Sequence, residues 1–322
     1  MNVSIVIPTV GRPSLGVLLE ALARGVDDRV EILIVDDRGP VDRAEPLVVP
    51  ATLSAYTKVL AGGGAGPAAA RNVGWQAARS EWIAFLDDDV VPDPDWFARL
   101  ARDLDVPPDV GGVQGRVRVP LPAHRRPTDW ERSTAGLARA RWITADMAYR
   151  SAALTAVGGF DERFPRAYRE DTELAHRVRQ AGWRLLVGAR AVSHPVRPEG
   201  PWASLRAQRG NADDALLRRM YGPRWRALLE IAPGRRRRHV ATTAALVAAL
   251  IAPRTPVGML GAAGWLAGTA EFALARVGPG PRTPREIVTM AVTSAAIPPL
   301  ATMHWLRGWW AGRGARPFGE VR

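Results

Sequence analysis

The chain has 322 residues, 47% of them hydrophobic, with 31 glycines and 27 prolines, which describes a folded chain with many turns and excludes a disordered one. Cysteine is absent and there are five histidines, so disulfides and thiolate metal sites are excluded, and oxygen ligands for Mg²⁺ or Mn²⁺ are expected over a structural zinc. The formal net charge is +12, and from Ile231 onward twelve arginines face three glutamates among apolar segments, a pattern that suits an anionic membrane surface better than a nucleic acid.

Met1 runs directly into Val3, Ser4, Ile5, Val6 and Ile7, which read as a first core strand, so no secretory leader is expected. Pro8 and Thr9 close this strand, and Leu15, Leu18, Leu19 and Leu22 then recur at helical spacing after Pro13. Residues 31–35 form a second buried strand ending in Asp36 and Asp37, before a Gly39-Pro40 turn, and residues 54–60 a third before the glycine cluster at 62–66. An alanine-rich helix over 67–78 carries Arg71 and Asn72, and residues 82–86 form the next strand, which ends in Asp87, Asp88 and Asp89. A helix follows through Trp96, Phe97 and Leu100, then strands near 110–119 and 144–149, a short helix over 151–157, and a further helix that opens with Glu170 and Asp171. Strands alternating with helices predict an α/β fold with a doubly wound, mostly parallel sheet, whose ligands bind outside the carboxyl ends of the strands. Both acidic clusters lie at such ends.

Three adjacent carboxylates raise one another's pKa unless they diverge into water or a cation neutralises them. A divalent ion shared with a phosphate-bearing ligand answers that problem. The alternative is a solvated, helix-capping cluster. Asp36 and Asp37 can accept hydrogen bonds from a base or from ribose hydroxyls, or can close an Asx turn. Arg71 can neutralise a phosphate or pair with a neighbouring acid. Glu170 and Asp171 at a helix start have their charge favoured by the dipole, which predicts an ionised pair, with simple capping as the other reading.

These motifs, in this order, resemble a family 2 glycosyltransferase with a GT-A fold over roughly residues 1–197: Ile5 to Thr9, Val35-Asp36-Asp37, Ala70-Arg71-Asn72-Val73-Gly74, Phe85 to Asp89, Gly158-Gly159-Phe160-Asp161-Glu162 and Glu170-Asp171. The resemblance implies transfer of a sugar from a nucleotide diphosphate sugar to an acceptor hydroxyl, inverting and dependent on Mn²⁺ or Mg²⁺. It implies Asp89 as principal metal ligand, Asp88 at metal or ribose, and Asp87 in orientation. It further implies Asp36, Asp37, Pro8 and Thr9 at the nucleotide and Asp171 as general base with Glu170 in support. His194 is either an additional metal ligand or an ordinary structural histidine. Asp146 stands where the family pattern leads us to expect Asn, which bears on acceptor contacts.

Beyond Pro201 the character changes: residues 201–238 read as a basic, amphipathic helical linker and 239–322 as an apolar helical region, after a catalytic region over 1–200. Apolar segments at 240–252, 257–275 and 287–306 are separated by Pro253 and by the Gly and Pro run at 278–281, and the last is interrupted by Pro298-Pro299. Two are near the ~20 residues a membrane span needs, which predicts membrane association over a soluble helical subdomain; their arginine flanks favour the cytoplasmic face of the cell membrane, although an odd number of segments leaves the topology open. With the family resemblance, this leads us to expect a role in cell-surface glycan or glycolipid synthesis. Competing readings are a sugar-phosphate nucleotidyltransferase and a non-catalytic sugar- or membrane-binding scaffold. Nucleic acid is not expected as a partner.

Overall fold

The computed structural model describes residues 2–39 and 45–317. The expected Gly39-Pro40 turn and the terminal Glu320 and Arg322 fall partly or wholly outside them. In chain order the elements are β1 (Val3–Thr9), α1 (Ser14–Leu22), β2 (Val30–Asp36), β3 (Thr57–Ala61), α2 (Pro67–Ala77), β4 (Trp82–Leu86), β5 (Val91–Pro92), α3 (Trp96–Asp103), β6 (Val110–Arg118), α4 (Asp129–Ala135), β7 (Asp146–Arg150), α5 (Ser151–Val157), α6 (Glu170–Gln180) and β8 (Arg184–Ser193). The remainder is helical: α7 (Ala203–Arg206), α8 (Asn211–Tyr221), α9 (Trp225–Leu228), α10 (Arg236–Ile251), α11 (Pro256–Val277) and α12 (Pro284–Ala311). The chain divides into two units, 2–120 with 135–196, and 121–134 with 197–317. The first unit ends at 196, and residues 121–134 belong to the second.

The first unit is built on an eight-stranded sheet of order β3-β2-β1-β4-β7-β6-β8-β5. Strands β3, β2, β1 and β4 are parallel, whereas β7 is antiparallel to both β4 and β6, so the sheet is mixed. Sequence alternation explains the layering. In β4, Trp82, Ala84 and Leu86 face one side with Leu18, Leu19 and Trp96, while Ile83 and Phe85 face the other with Phe160 and Leu174. Because both faces are covered by helices, the strands read as unbroken apolar runs. The third strand begins three residues later than the spacing predicts, since a 3₁₀ turn over Ala51–Leu53 and the loop after it occupy the start of that segment.

Asp146 is the clearest departure from expectation. It is fully buried in β7, accepts from Trp96 Nε1 at 2.8 Å and pairs with Arg190 Nε at 2.7 Å. Arg190, itself fully buried, also reaches Asp103 at 3.2 Å and the Val113 carbonyl at 2.6 Å. Burial pushes the Asp146 carboxyl up, against the pull of Arg190. The residue is therefore a structural strut within the sheet, tying β7 to Trp96 and Arg190.

In the second unit α10 and α11 pack closely, because Gly261 has no side chain to hold them apart: a Cβ there would lie 2.7 Å from the Ala245 carbonyl oxygen. Helices α11 and α12 are long and apolar enough to cross a membrane by length and composition, and only 11% and 33% of their most apolar stretches are buried. At 16 residues α10 is too short for an ordinary span. Helix α12 does not stop at Pro298 and Pro299 but continues through them, giving up the backbone donors that proline lacks. Glu271, the one acid within the apolar segments, is held by Arg235 at 2.7 and 2.8 Å and by Arg238 at 2.7 Å, which explains its presence there.

Removing Arg190 alone strands buried carboxylates, a loss expected to cost about 3–5 kcal/mol. Arg190→Met should lower the thermal unfolding midpoint of the first unit sharply, and adding Asp146→Asn should restore part of it; an unshifted midpoint in Arg190→Met would exclude the strut.

Candidate active site

The carboxyl ends of β1 and β4 lie side by side where the strand order reverses direction, the position at which open α/β sheets bind ligands. Thr9 ends β1 and the three acids follow β4. The period-2 alternation of β4 carries past its end and separates them. Asp88 continues the face of Leu86 and turns to the β1 loop, where Thr9 Oγ1 donates to its Oδ2 at 2.6 Å and Arg12 Nη1 to its Oδ1 at 2.8 Å. Asp87 continues the face of Phe85 and meets Arg71 Nη2 at 2.8 Å.

Arg71 projects from α2 and is 1% exposed. Its other terminal nitrogen donates to Glu170 Oε1 at 2.8 Å, so one guanidinium ties the end of β4 to the start of α6. Arg71 thus pairs with two acids, the second of the two roles weighed for it. The next residue, Asn72, clamps the glycine turn: its amide donates to the Phe160 carbonyl at 2.9 Å and to Glu162 at 2.8 Å, and its Oδ1 accepts the Phe160 N–H at 2.8 Å. Gly159 adopts φ +73°, and a Cβ there would lie 2.6 Å from both Asn72 Oδ1 and Trp75 Nε1, so the turn admits only glycine. Arg169, just ahead of Glu170, takes a left-handed φ of +82°, strain of the kind that accumulates at functional sites.

Glu170 is 2% exposed and Asp171 half-buried, and the Asp171 Oδ1 accepts the Thr172 N–H at 2.6 Å. Arg71 has Asp87, Glu170 and Asp171 around it, one cation for three carboxylates. Burial pushes Glu170 up to about 8, with the Asp171 charge acting in the same direction and Arg71 against it. Burial also raises Asp171, opposed by Arg71 and by the Thr172 N–H. At Glu170 desolvation thus outweighs the helix dipole, whereas at Asp171 it is opposed by Arg71 and the Thr172 N–H.

At the end of β2, Asp36 accepts from the Arg38 backbone N–H at 3.1 Å and from its guanidinium at 2.9 and 2.7 Å. Asp37 accepts the N–H groups of Gly64, Ala65 and Gly66 at 2.8, 3.1 and 3.0 Å, a nest that fixes the glycine loop ahead of α2. Both stand beside Thr9, whose register partner is Asp36, with Pro8 next to it.

Asp89 follows β4 and His194 follows β8. His194 Nε2 lies 3.4 Å from Asp89 Oδ1, and both side chains are under 10% exposed. His194 Nδ1 lies 3.3 Å from the Pro195 carbonyl, and the tautomer that donates there would turn the Nε2 lone pair toward Asp89. An oxygen and an imidazole nitrogen so juxtaposed fit a divalent ion such as Mn²⁺. Asp88 fits less well, since both of its oxygens are engaged. Among the described residues no group of three or more acids and histidines forms a complete cage, so a bound phosphate would have to supply further ligands.

Sequence reasoning missed Arg12 as the partner of Asp88, and Asn72 as the clamp. The signal for Asn72 was its adjacency to Arg71 in a helix that must reach the glycine turn; for Arg12 there was none, since an arginine in a loop reads as solvated.

Residues 4–164, half of the chain, match the family described as Glycosyl transferase family 2. Over 133 residues the chain is 34% identical to the Pre-mycofactocin glycosyltransferase of Mycobacterium tuberculosis, covering 37% of this chain and 28% of that protein's length. In three dimensions it is similar to the mannosyltransferase PcManGT of Pyrobaculum calidifontis, solved in complex with GDP-Man and Mn²⁺, with a TM-score of 0.54, 17% identity, and coverage of 95% and 87% of the two chains.

The raised Glu170 carboxyl makes a signed prediction. Its contribution to stability is fully present below its unfolded value near 4.5 and is lost as pH rises through about 8. Thermal unfolding of the wild type from pH 5 to 9 should therefore show a decline that Glu170→Gln flattens; superimposable profiles would refute the shift.

Proposed function

The chain belongs to glycosyl transferase family 2, and from that premise we propose that it transfers a sugar from a nucleotide diphosphate sugar to an acceptor hydroxyl with inversion, aided by Mn²⁺ or Mg²⁺. The observation that carries this reading is the Arg71 bridge, which brings Asp87 at the end of β4 and Glu170 at the start of α6 to one guanidinium. It sets the acids of the donor side and the Glu170–Asp171 pair at one place.

In the proposed reaction Asp171 accepts the proton of the acceptor hydroxyl. The acceptor oxygen forms its bond to the anomeric carbon as the bond to the nucleoside diphosphate oxygen breaks, and the opposed directions of attack and departure invert the centre. Glu170 and Arg71 position Asp171 and set its charge. Asp89 and His194 would hold the divalent ion, whose chemistry is neutralisation of the departing diphosphate. Asp88 and Asp87 then orient the loop after β4, and Pro8, Thr9, Asp36 and Asp37 frame the nucleotide. The GDP-Man and Mn²⁺ bound to the archaeal mannosyltransferase of similar fold support a nucleotide-sugar donor and a divalent ion. A nucleotidyltransferase reading is disfavoured, because the one basic residue after β1, Arg12, is taken up by Asp88.

We further propose that α11 and α12 associate with the membrane and that the catalytic region works at its cytoplasmic face, in the assembly of a cell-surface glycan or glycolipid. The length and apolar surface of these helices support it, as do Arg254 ahead of α11 and Arg282 and Arg285 at the start of α12.

Titration of the purified chain with nucleotide sugars, with and without Mn²⁺, tests the reading: metal-dependent binding is expected, and its absence for every donor would sink the proposal. Asp171→Asn should lower transfer by roughly 10²–10⁴-fold while leaving that binding intact. Asp89→Asn and His194→Gln should each abolish the metal dependence of binding.

A further inference from the structure

In the first unit, on the face of β6 and β8 that carries Gln114, lies a cavity of about 510 Å³ outside the site described above. Five arginines line it (Arg99, Arg116, Arg118, Arg139 and Arg141) and no acid does. Four of the five are exposed to solvent, and like charges gathered around one cavity raise the local potential for an anion. Two have partners: Arg99 pairs with Asp95 at 2.6 Å and Arg118 with Asp93. The other three have none among the described residues. Arg116 donates only to the Gly188 carbonyl at 3.3 Å, and Arg139 and Arg141 form no ion pair. Many arginines of this unit are neutralised, among them Arg12, Arg38, Arg71, Arg163 and Arg177, whereas this cavity gathers three that are not.

The cavity wall is built to hold them. Gln114 accepts the Trp142 N–H and donates to the Ala140 carbonyl at 3.2 Å, pinning the segment that carries Arg139 and Arg141 against β6. Trp142 takes a left-handed φ of +64°, and its ring lies 6.0 Å from the guanidinium of Arg179 on α6, the helix that opens with Glu170 and Asp171. At the other end of the cavity, the Arg118 carbonyl accepts the His194 N–H at 2.7 Å, so β6 runs directly into the metal-ligand pair.

We propose that this cavity is a second anion site, in which Arg116, Arg139 and Arg141 bind a phosphate monoester group carried by the acceptor. Three guanidinium forks offer more donors and more charge than a single carboxylate can use, whereas a phosphate dianion accepts bidentate pairs from several of them. The volume exceeds what phosphate needs and leaves room for the group that bears it. Binding of the anion depends on the geometry alone; its assignment to the acceptor rests on the glycosyltransferase reading.

The test is calorimetric titration of the full chain, its donor site filled with Mn²⁺ and UDP or GDP, with glucose 6-phosphate in one arm and phosphatidic acid vesicles in the other. Binding in either arm is expected, the vesicle arm being read as the excess over phosphatidylcholine vesicles, to which α11 and α12 alone would bind; the first marks a soluble ester and the second a lipid phosphate as the source. Arg116→Gln/Arg139→Gln/Arg141→Gln should weaken it by at least tenfold, while Arg102→Gln, on α3 but outside the cavity, leaves it unchanged. No binding in either arm, undiminished binding in the triple variant, or equal weakening by Arg102→Gln would overturn the pocket. Nucleoside diphosphate binding by the triple variant, seen in the same titrations, keeps the two readings apart: it should persist if only the pocket is lost.

Discussion

One buried guanidinium holds the active region together. Arg71 leaves α2, is sealed from water, and joins Asp87 after β4 to Glu170 at the start of α6. A buried arginine is tolerable only with partners, and a buried carboxylate only with a cation or a proton, so these groups depend on one another. Burial raises the Glu170 carboxyl, and the Asp171 charge beside the same single cation adds to it, which moves Glu170 up to about 8. Structural cohesion and acid–base poise thus come from the same contact.

The residues around this bridge divide by strand geometry. Alternation along β4 sends Asp87 toward α2 and α6 and Asp88 toward the β1 loop, while Asp89 meets His194 from the far end of the unit. Three consecutive acids therefore serve three different neighbours, and their mutual repulsion is relieved by divergence as much as by any cation. Asn72, one residue beyond Arg71, turns the same helix into a clamp on the Gly158-Gly159 turn. Helix α2 is in this sense the spine of the site.

The arginines show the same economy and where it ends. Lys58 is the single lysine among 44 basic residues, and arginine is the side chain that pairs in planar, bidentate fashion with carboxylates and stacks on aromatic rings. In the first unit the arginines mostly meet acids; in the second they also lie over tryptophans, as Arg219 does over Trp309 at 3.5 Å and Arg236 over Trp305 at 4.3 Å. Arg116, Arg139 and Arg141 do neither.

Much of this was legible in the chain itself. Apolar runs ending in Asp36-Asp37 and in Asp87 to Asp89 are local patterns, and their position at the carboxyl ends of parallel strands follows from strand and helix alternation. The glycine turn, the acids opening α6 and the long apolar helices are likewise local, set by backbone conformation and hydropathy within a few residues. What the sequence could not decide was partnership across the fold. Whether Arg71 faces phosphate or carboxylate depends on residues 16 and 99 positions away; Asp146 became a strut because Arg190 lies beneath it. The charge state of Glu170 and Asp171 turned on burial, which local spacing does not contain. Pairing and desolvation are properties of the packed chain, and only the tertiary structure settled them.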